Sequence, residues 1–315
     1  MHNHTHSHIN ELTQQTIRRL ALSLGITLAF VFVEIAAGVF ANSLALLTDA
    51  AHNFTDVLAL SLSWWALRLT AQPANHKKTY GYHRAGILAA LVNSTTLVVI
   101  ALGIFIEAYH RFVNPPEVQA DVLIGVGLVA VIINVITALL VRQGAEHDLN
   151  IRSAFLHLMG DVLSTVGAVV AGVIIRYTNW NWLDPMVSVL IGILILWSAW
   201  IVIREAIDIL MESTPTDIDM DSMIQDINSV EGVRGVHDLH VWSITRASRT
   251  LSAHLVTGDI PISDGAFIQT RVNELLYHKY DVNHATLQLE CEDCVSNLLY
   301  CNISESNHRH NIPKY

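Results

Sequence analysis

Six stretches of about twenty apolar residues dominate the chain, and a segment of that length and composition is built to cross a bilayer. They run from about Leu20 to Ala41, Leu44 to Leu67, Ala85 to Ile106, Val122 to Val141, Ser153 to Ile175 and Pro185 to Ile203. In hydrocarbon every backbone N–H and C=O must find its partner within the segment, so each is read as a spanning α-helix. Pro73, Pro115 and Pro116 fall in the links, and Pro185 at a helix start, where a fixed φ is tolerated. The first apolar stretch follows a polar, histidine-rich start and is too long for a cleavable leader, so none is expected. Only 15% of the 315 residues are charged, against about 25% in soluble domains. Residues 1–206 hold 11 Lys and Arg against 12 Asp and Glu, whereas 207–315 hold 7 against 16, a net of −9. A nearly neutral apolar block followed by an acidic one implies a membrane domain with a soluble tail. No basic stripe is present, which excludes nucleic-acid binding.

The positive loops set the orientation. With the N-terminus inside, the inner links receive Arg18, Arg19, Arg68, Lys77, Lys78, Arg84, Arg142, Arg152 and Arg204, and the outer links only Arg111 and Arg176. Both termini are therefore expected in the cytoplasm. There the three cysteines, Cys291, Cys294 and Cys301, stay reduced, and their odd number supplies no disulfide framework.

After Arg204 the pattern changes. Asp219 to Ser229 reads as an amphipathic helix, Val236 to Thr245 and Thr250 to Thr257 as strands, and Ala285 to Glu290 as a third strand. Asp264 is placed as the cap of a helix running to about Tyr277. The order αββαβ predicts a small α+β sandwich of ferredoxin-like type. The expected division is a histidine-rich start over 1–16, a six-helix membrane domain over 17–206, a cytoplasmic metal-binding domain over 207–294 and a flexible end over 295–315.

Two of the spans carry the same device. His52 and Asp56 on the second, and His157 and Asp161 on the fifth, are each four residues apart, so each pair lies on one helix face. Facing each other, the pairs offer two imidazole nitrogens and two carboxylate oxygens, a tetrahedral set suited to Zn²⁺. A charged side chain at mid-span costs roughly 2.5–3.5 kcal/mol, and intramembrane ionisable groups mark ion paths. The alternative is a structural hydrogen bond within each pair. Glu34 is the only charge in the other four spans. Asp49, three residues before His52, is open to a capping, supporting or ligating role. Two carboxylates with one Zn²⁺ and neutral histidines are formally neutral, so metal and protons compete for the same atoms.

These motifs resemble the cation diffusion facilitator family, in its bacterial zinc-exporting branch. The resemblance covers about residues 16–292 and includes SLALLTDAAHNFTD (43–56), KTYGYHRAGILAALVN (78–93), SAFLHLMGDVLSTVG (153–167) and VHDLHVWSIT (236–245). It implies a homodimer in the plasma membrane that exchanges cytoplasmic Zn²⁺ for H⁺ at His52, Asp56, His157 and Asp161. It also implies that His52, in place of a third aspartate, favours zinc over cadmium. Gly86 stands where many members have an acid, and the link over 143–150 holds His147 alone, without a long histidine-rich loop.

In the tail the resemblance places His237 and His254 at positions that bind metal in the family, and Glu290 near its bridging carboxylate. Gln288 stands where a relative has histidine, which weakens the site. His240 lies on the same strand as His237, and Cys291 with Cys294 forms a two-thiolate clip that zinc favours or a reduced pair without a ligand. His2, His4, His6 and His8 either collect zinc or have no role. Two other readings use the same residues: a zinc-dependent membrane enzyme, disfavoured because four protein ligands leave no open position, and a membrane metal sensor. No catalytic residue is assigned.

Overall fold

The computed structural model describes residues 25–142, 149–245 and 248–291. The N-terminal histidines, His147, Cys294, Cys301 and the end over 295–315 lie outside the described residues. The chain forms two compact units, one holding Leu88–Arg204 with the residues up to Arg68, the other holding Leu69–Ile87 with Glu205 onward.

The first unit is helical. Helix α1 is described over Gly25–Ala41, followed by α2 (Leu44–Thr70), α3 (Ala85–Val113), α4 (Ala120–Arg142), α5 (Leu149–Thr178) and α6 (Leu183–Leu210). Among the described residues four helices, α3 to α6, are long and apolar enough to cross a membrane. Only 28–33% of their apolar windows is buried, so most of that surface faces outward, as lipid requires. Helix α2 has 27 residues, and Asp49, His52, Asn53 and Asp56 lower its hydropathy.

Small residues let the helices approach. On α4, Gly127 faces Val169 of α5, where a methyl group would collide at 2.6 Å, and Gly172 of α5 faces Leu123 and Ile124, which a methyl group would press at 3.0–3.1 Å. Ala41, Leu46, Leu123, Ala171, Ile175 and Leu183 form one buried cluster, and Leu97 and Ala101 of α3 pack with Ile191, Ile195 and Ala199 of α6 in another.

Asn42, at φ 53°, ends α1 in the left-handed conformation and turns the chain into α2. The cap of α2 is shared: Ser43 Oγ accepts from Leu46 N at 3.3 Å, and another helix takes up the two donors before it. Asp184, in the first turn of α6 and fully buried, accepts from Leu44 N at 2.6 Å, Ala45 N at 3.2 Å and Ser43 Oγ at 2.5 Å. Arg111 Nη1 stands 3.9 Å from the same carboxylate and donates to Asn42 O at 2.6 Å. Asp49 is five residues into α2 and is not its cap, which removes the capping alternative. At the far end of α2 the Arg68 guanidinium lies 3.8 Å from the Trp64 ring centroid.

The second unit contains α7 (Met220–Asn228), β1 (Gly235–Thr245), β2 (Ser248–Thr257), α8 (Ile262–Tyr280) and β3 (Val282–Cys291), the αββαβ order read from the sequence. The sheet order is β1-β2-β3, with β1 antiparallel and β3 parallel to β2. Leu239, Val241, Leu251, Ala253 and Leu255 pack one sheet face against Met223, Ile227, Ile268, Val272 and Leu276 of the two helices. The other face is left for polar groups. Asp219 caps α7 by backbone geometry, whereas α8 starts at Ile262 after Pro261. Asp264 is inside the first turn of α8, so the sequence reading of it as the cap is corrected: the fixed φ of Pro261 starts the helix first. In the same unit Arg84 Nη2 pairs with Glu212 Oε1 at 3.0 Å.

Candidate metal centres

In the helical unit the i,i+4 spacing of His52 and Asp56 holds as a single turn of α2, with His52 Nε2 3.8 Å from Asp56 Oδ2. Helix α5 brings Asp161 to the same imidazole, with Asp161 Oδ1 3.1 Å from His52 Nε2. One ligand atom from each of these three residues lies within 4.8 Å of the others, which is the span of a single coordination sphere. Asp161 is buried, and Asp56, with 30% of its side chain exposed, forms the open edge. The fourth expected ligand, His157, is on α5 one turn before Asp161; its side chain lies outside the described residues.

A polar network the sequence reading did not assemble backs this cluster. Thr165 Oγ1, one turn after Asp161, lies 2.8 Å from Asp161 O and 3.2 Å from Asp49 Oδ2, and accepts from Asn134 Nδ2 of α4 at 3.2 Å. Asn53 Nδ2 donates to Glu34 Oε2 of α1 at 3.1 Å. Thr165, Asn134, Asn53, Glu34 and Asp49 are all buried. Threonine and asparagine are common enough in spans that nothing local marks these; only the meeting of four helices does. Asp49 thus touches the network and stands outside the three-residue cluster.

The second cluster is on the polar face of the tail sheet. His237 and His254 are direct partners across β1 and β2, their rings 5.1 Å apart and nearly perpendicular. Glu290 reaches both, with Oε2 2.9 Å from His237 Nε2 and Oε1 2.9 Å from His254 Nδ1. These three also hold their ligand atoms within 4.8 Å. Gln288, the register partner of His254, donates its amide to Glu290 Oε1 at 2.8 Å.

The face arises from a bulge. Simple alternation along β1 would put His237 with Leu239 and Val241, in the core. The register shifts between His237 and His240, and Asp238 takes φ 48°. One extra residue flips the parity of everything before it, so His237 joins His254 on the polar face while Leu239 and Val241 stay inside. Asp238 then contacts His240 Nε2 at 3.0 Å and His254 Nε2 at 3.5 Å. His240 is beside the cluster through Asp238 and is not part of it. Cys291, at the exposed end of β3, is not brought to it either.

The Cation efflux transmembrane domain matches residues 20–211, and the cytoplasmic domain of cation efflux proteins matches 215–292. The cadmium, cobalt and zinc/H(+)-K(+) antiporter of Bacillus subtilis is 38% identical over 276 residues, covering 87% of this chain and 88% of that protein. Metal cation efflux system protein CzcD of Cupriavidus metallidurans is 34% identical over 293 residues, 93% of this chain and 90% of its own. The zinc transporter ZitB of Escherichia coli is 34% identical over 311 residues, 98% of each.

Proposed function

The chain belongs to the cation efflux family, and from that premise we propose that it exports Zn²⁺ from the cytoplasm in exchange for protons. The observation that carries this reading is the meeting of His52, Asp56 and Asp161 from two helices within 4.8 Å, inside the apolar unit. His157, one turn from Asp161, is the fourth ligand. Zn²⁺ among two carboxylates and two neutral imidazoles has no net charge, the condition under which a dication rests in a low-dielectric site. Once the metal leaves, two carboxylates remain without a cation, and protons replace it at the same oxygens. A site that turns between the two sides of the membrane then carries Zn²⁺ one way and H⁺ the other. The named relatives act on zinc, cadmium and cobalt, and His52, a neutral nitrogen in place of a third anionic oxygen, biases this chain toward zinc.

The protein sits in the plasma membrane as a homodimer, with both termini on the cytoplasmic side, the orientation supported by the distribution of Lys and Arg. The tail site fits a resident Zn²⁺. His237 Nε2, His254 Nδ1 and the two Glu290 oxygens converge, and His237 is buried, so a dication there is shielded from water. In the acidic tail such a cation offsets charge and draws two copies together, a population shift driven by differential affinity.

The test is zinc uptake into proteoliposomes under an imposed pH gradient. Asp56→Ala and Asp161→Ala are expected to bring uptake to the level of empty vesicles while both variants still insert and dimerise. Transport at the unsubstituted rate by both would end the assignment.

A further inference from the structure

The metal centre uses two carboxylates, and besides Asp184 at the start of α2 the same unit buries two more. Glu34 on α1 has no exposed surface, and Asp49 on α2 has 2%. Asn53 Nδ2 donates to Glu34 Oε2 at 3.1 Å, and the Asp49 carboxyl is close enough to the Glu34 carboxyl to bond to it. Glu34 Oε1 is buried and meets no N–H or O–H donor among the described residues. Two carboxyl groups bond to each other only by holding a proton between them, and such a proton also accounts for the oxygen that lacks a donor. Among the described residues no lysine or arginine compensates Glu34. Asp49 is the charged group that bears on Glu34, with His52 and Asp161 beyond it. Thr165 and Asn134 are neutral, and the nearby packing of α1 is against Leu46, Leu123, Ala171 and Ile175.

We propose that Glu34, held by Asp49 and Asn53, is a proton seat separate from the metal ligands, loading and releasing one proton in each transport cycle. The proposal rests on the antiport reading above. Its coupling to metal is built into α2. Asp49 and Asn53 flank His52 on that helix, so a shift of α2 that turns His52 and Asp56 from one side to the other moves both past Glu34 on α1. The bonds that hold the proton are remade in each state, which gives the two states different proton affinities. Metal and proton thereby ride on one moving helix without sharing atoms.

The experiment uses the full chain in proteoliposomes with Zn²⁺ as the probe. Each coupled proton makes the limiting zinc accumulation ratio about tenfold steeper per unit of imposed pH difference. Glu34→Gln, which keeps the shape and the Asn53 contact, is expected to lower that steepness by one factor of about ten per pH unit. Its zinc affinity should stay within about twofold of the unsubstituted protein. Asp49→Asn, which removes the acid partner, should show the same loss, so the result does not depend on one variant folding. Glu34→Asp, which keeps an acid, should retain the original steepness. An unchanged steepness in Glu34→Gln and Asp49→Asn overturns the proposal. So does a loss in Glu34→Asp equal to that in Glu34→Gln, which marks packing, or a collapse of zinc affinity in Glu34→Gln, which makes Glu34 a ligand. Asp161→Ala run alongside separates the two claims: if it too moves zinc up the gradient, it is the metal-centre reading that fails.

Discussion

Removing the carboxylate of Asp184 should loosen the helix that carries half of the metal centre. Asp184 has no exposed surface and accepts from Ser43 Oγ at 2.5 Å, Leu44 N at 2.6 Å and Ala45 N at 3.2 Å. An ordinary N-cap is worth roughly 1 kcal/mol. Here the two backbone donors belong to buried residues, and each left without a partner costs about 1–3 kcal/mol. Arg111 keeps Asn42 O at 2.6 Å and Glu107 at 2.9 Å, so its charge is not stranded. The cap and the stranded donors overlap in what they count, and Asp184→Ala should cost about 3–5 kcal/mol in all. Asp184→Asn keeps one oxygen for Leu44 N, and Ser43 can turn its hydroxyl to accept from the new amide, so its cost should be about 1–2 kcal/mol. Equilibrium unfolding in mixed detergent and SDS micelles measures both. Zinc flux should fall in the same order, because the start of α2 sets where His52 and Asp56 stand. A cost below about 1 kcal/mol for the alanine variant, or equal costs for the two variants, would refute the idea that α2 is capped from α6.

His52→Asp adds a third anionic oxygen to the centre, and competition uptake assays should show cadmium gaining on zinc; an unchanged ratio would place selectivity elsewhere. His237→Ala with His254→Ala should abolish zinc-dependent protection of the tail from proteolysis in the full chain, while transport at high zinc persists. Lys279 and Tyr280 hold the Asp226 carboxyl below the ordinary carboxylate range. Its contribution is therefore complete above the unfolded value of about 4 and is lost as pH falls through the lower folded value. Hydrogen exchange in α7 and α8 should rise in that acid window, and Asp226→Asn should remove the dependence.

Much of this protein is legible in its residues because membrane helices obey local rules. A run of apolar residues must satisfy its own backbone, so span and helix are one inference, and the i,i+4 offset of His52 and Asp56 becomes a shared face without reference to any other part of the chain. The αββαβ order of the tail follows likewise from period and turn residues.

What the tertiary structure decided is where non-local partners meet. Asp184 stands one residue before Pro185 and reads as a link; only the packing of α6 beside the start of α2 makes it a cap. Glu34 and Asp49 are fifteen positions apart on separate helices, and only the tertiary structure brings their carboxyls within reach of each other. His237 is the sharpest case. Strand alternation alone assigns it to the core, and one aspartate in the left-handed region at Asp238 sends it to the opposite face, beside His254 and Glu290. A period of two carries no record of a slip by one, so that metal face is set by the register of β1 against β2, a property of the paired strands and of neither alone.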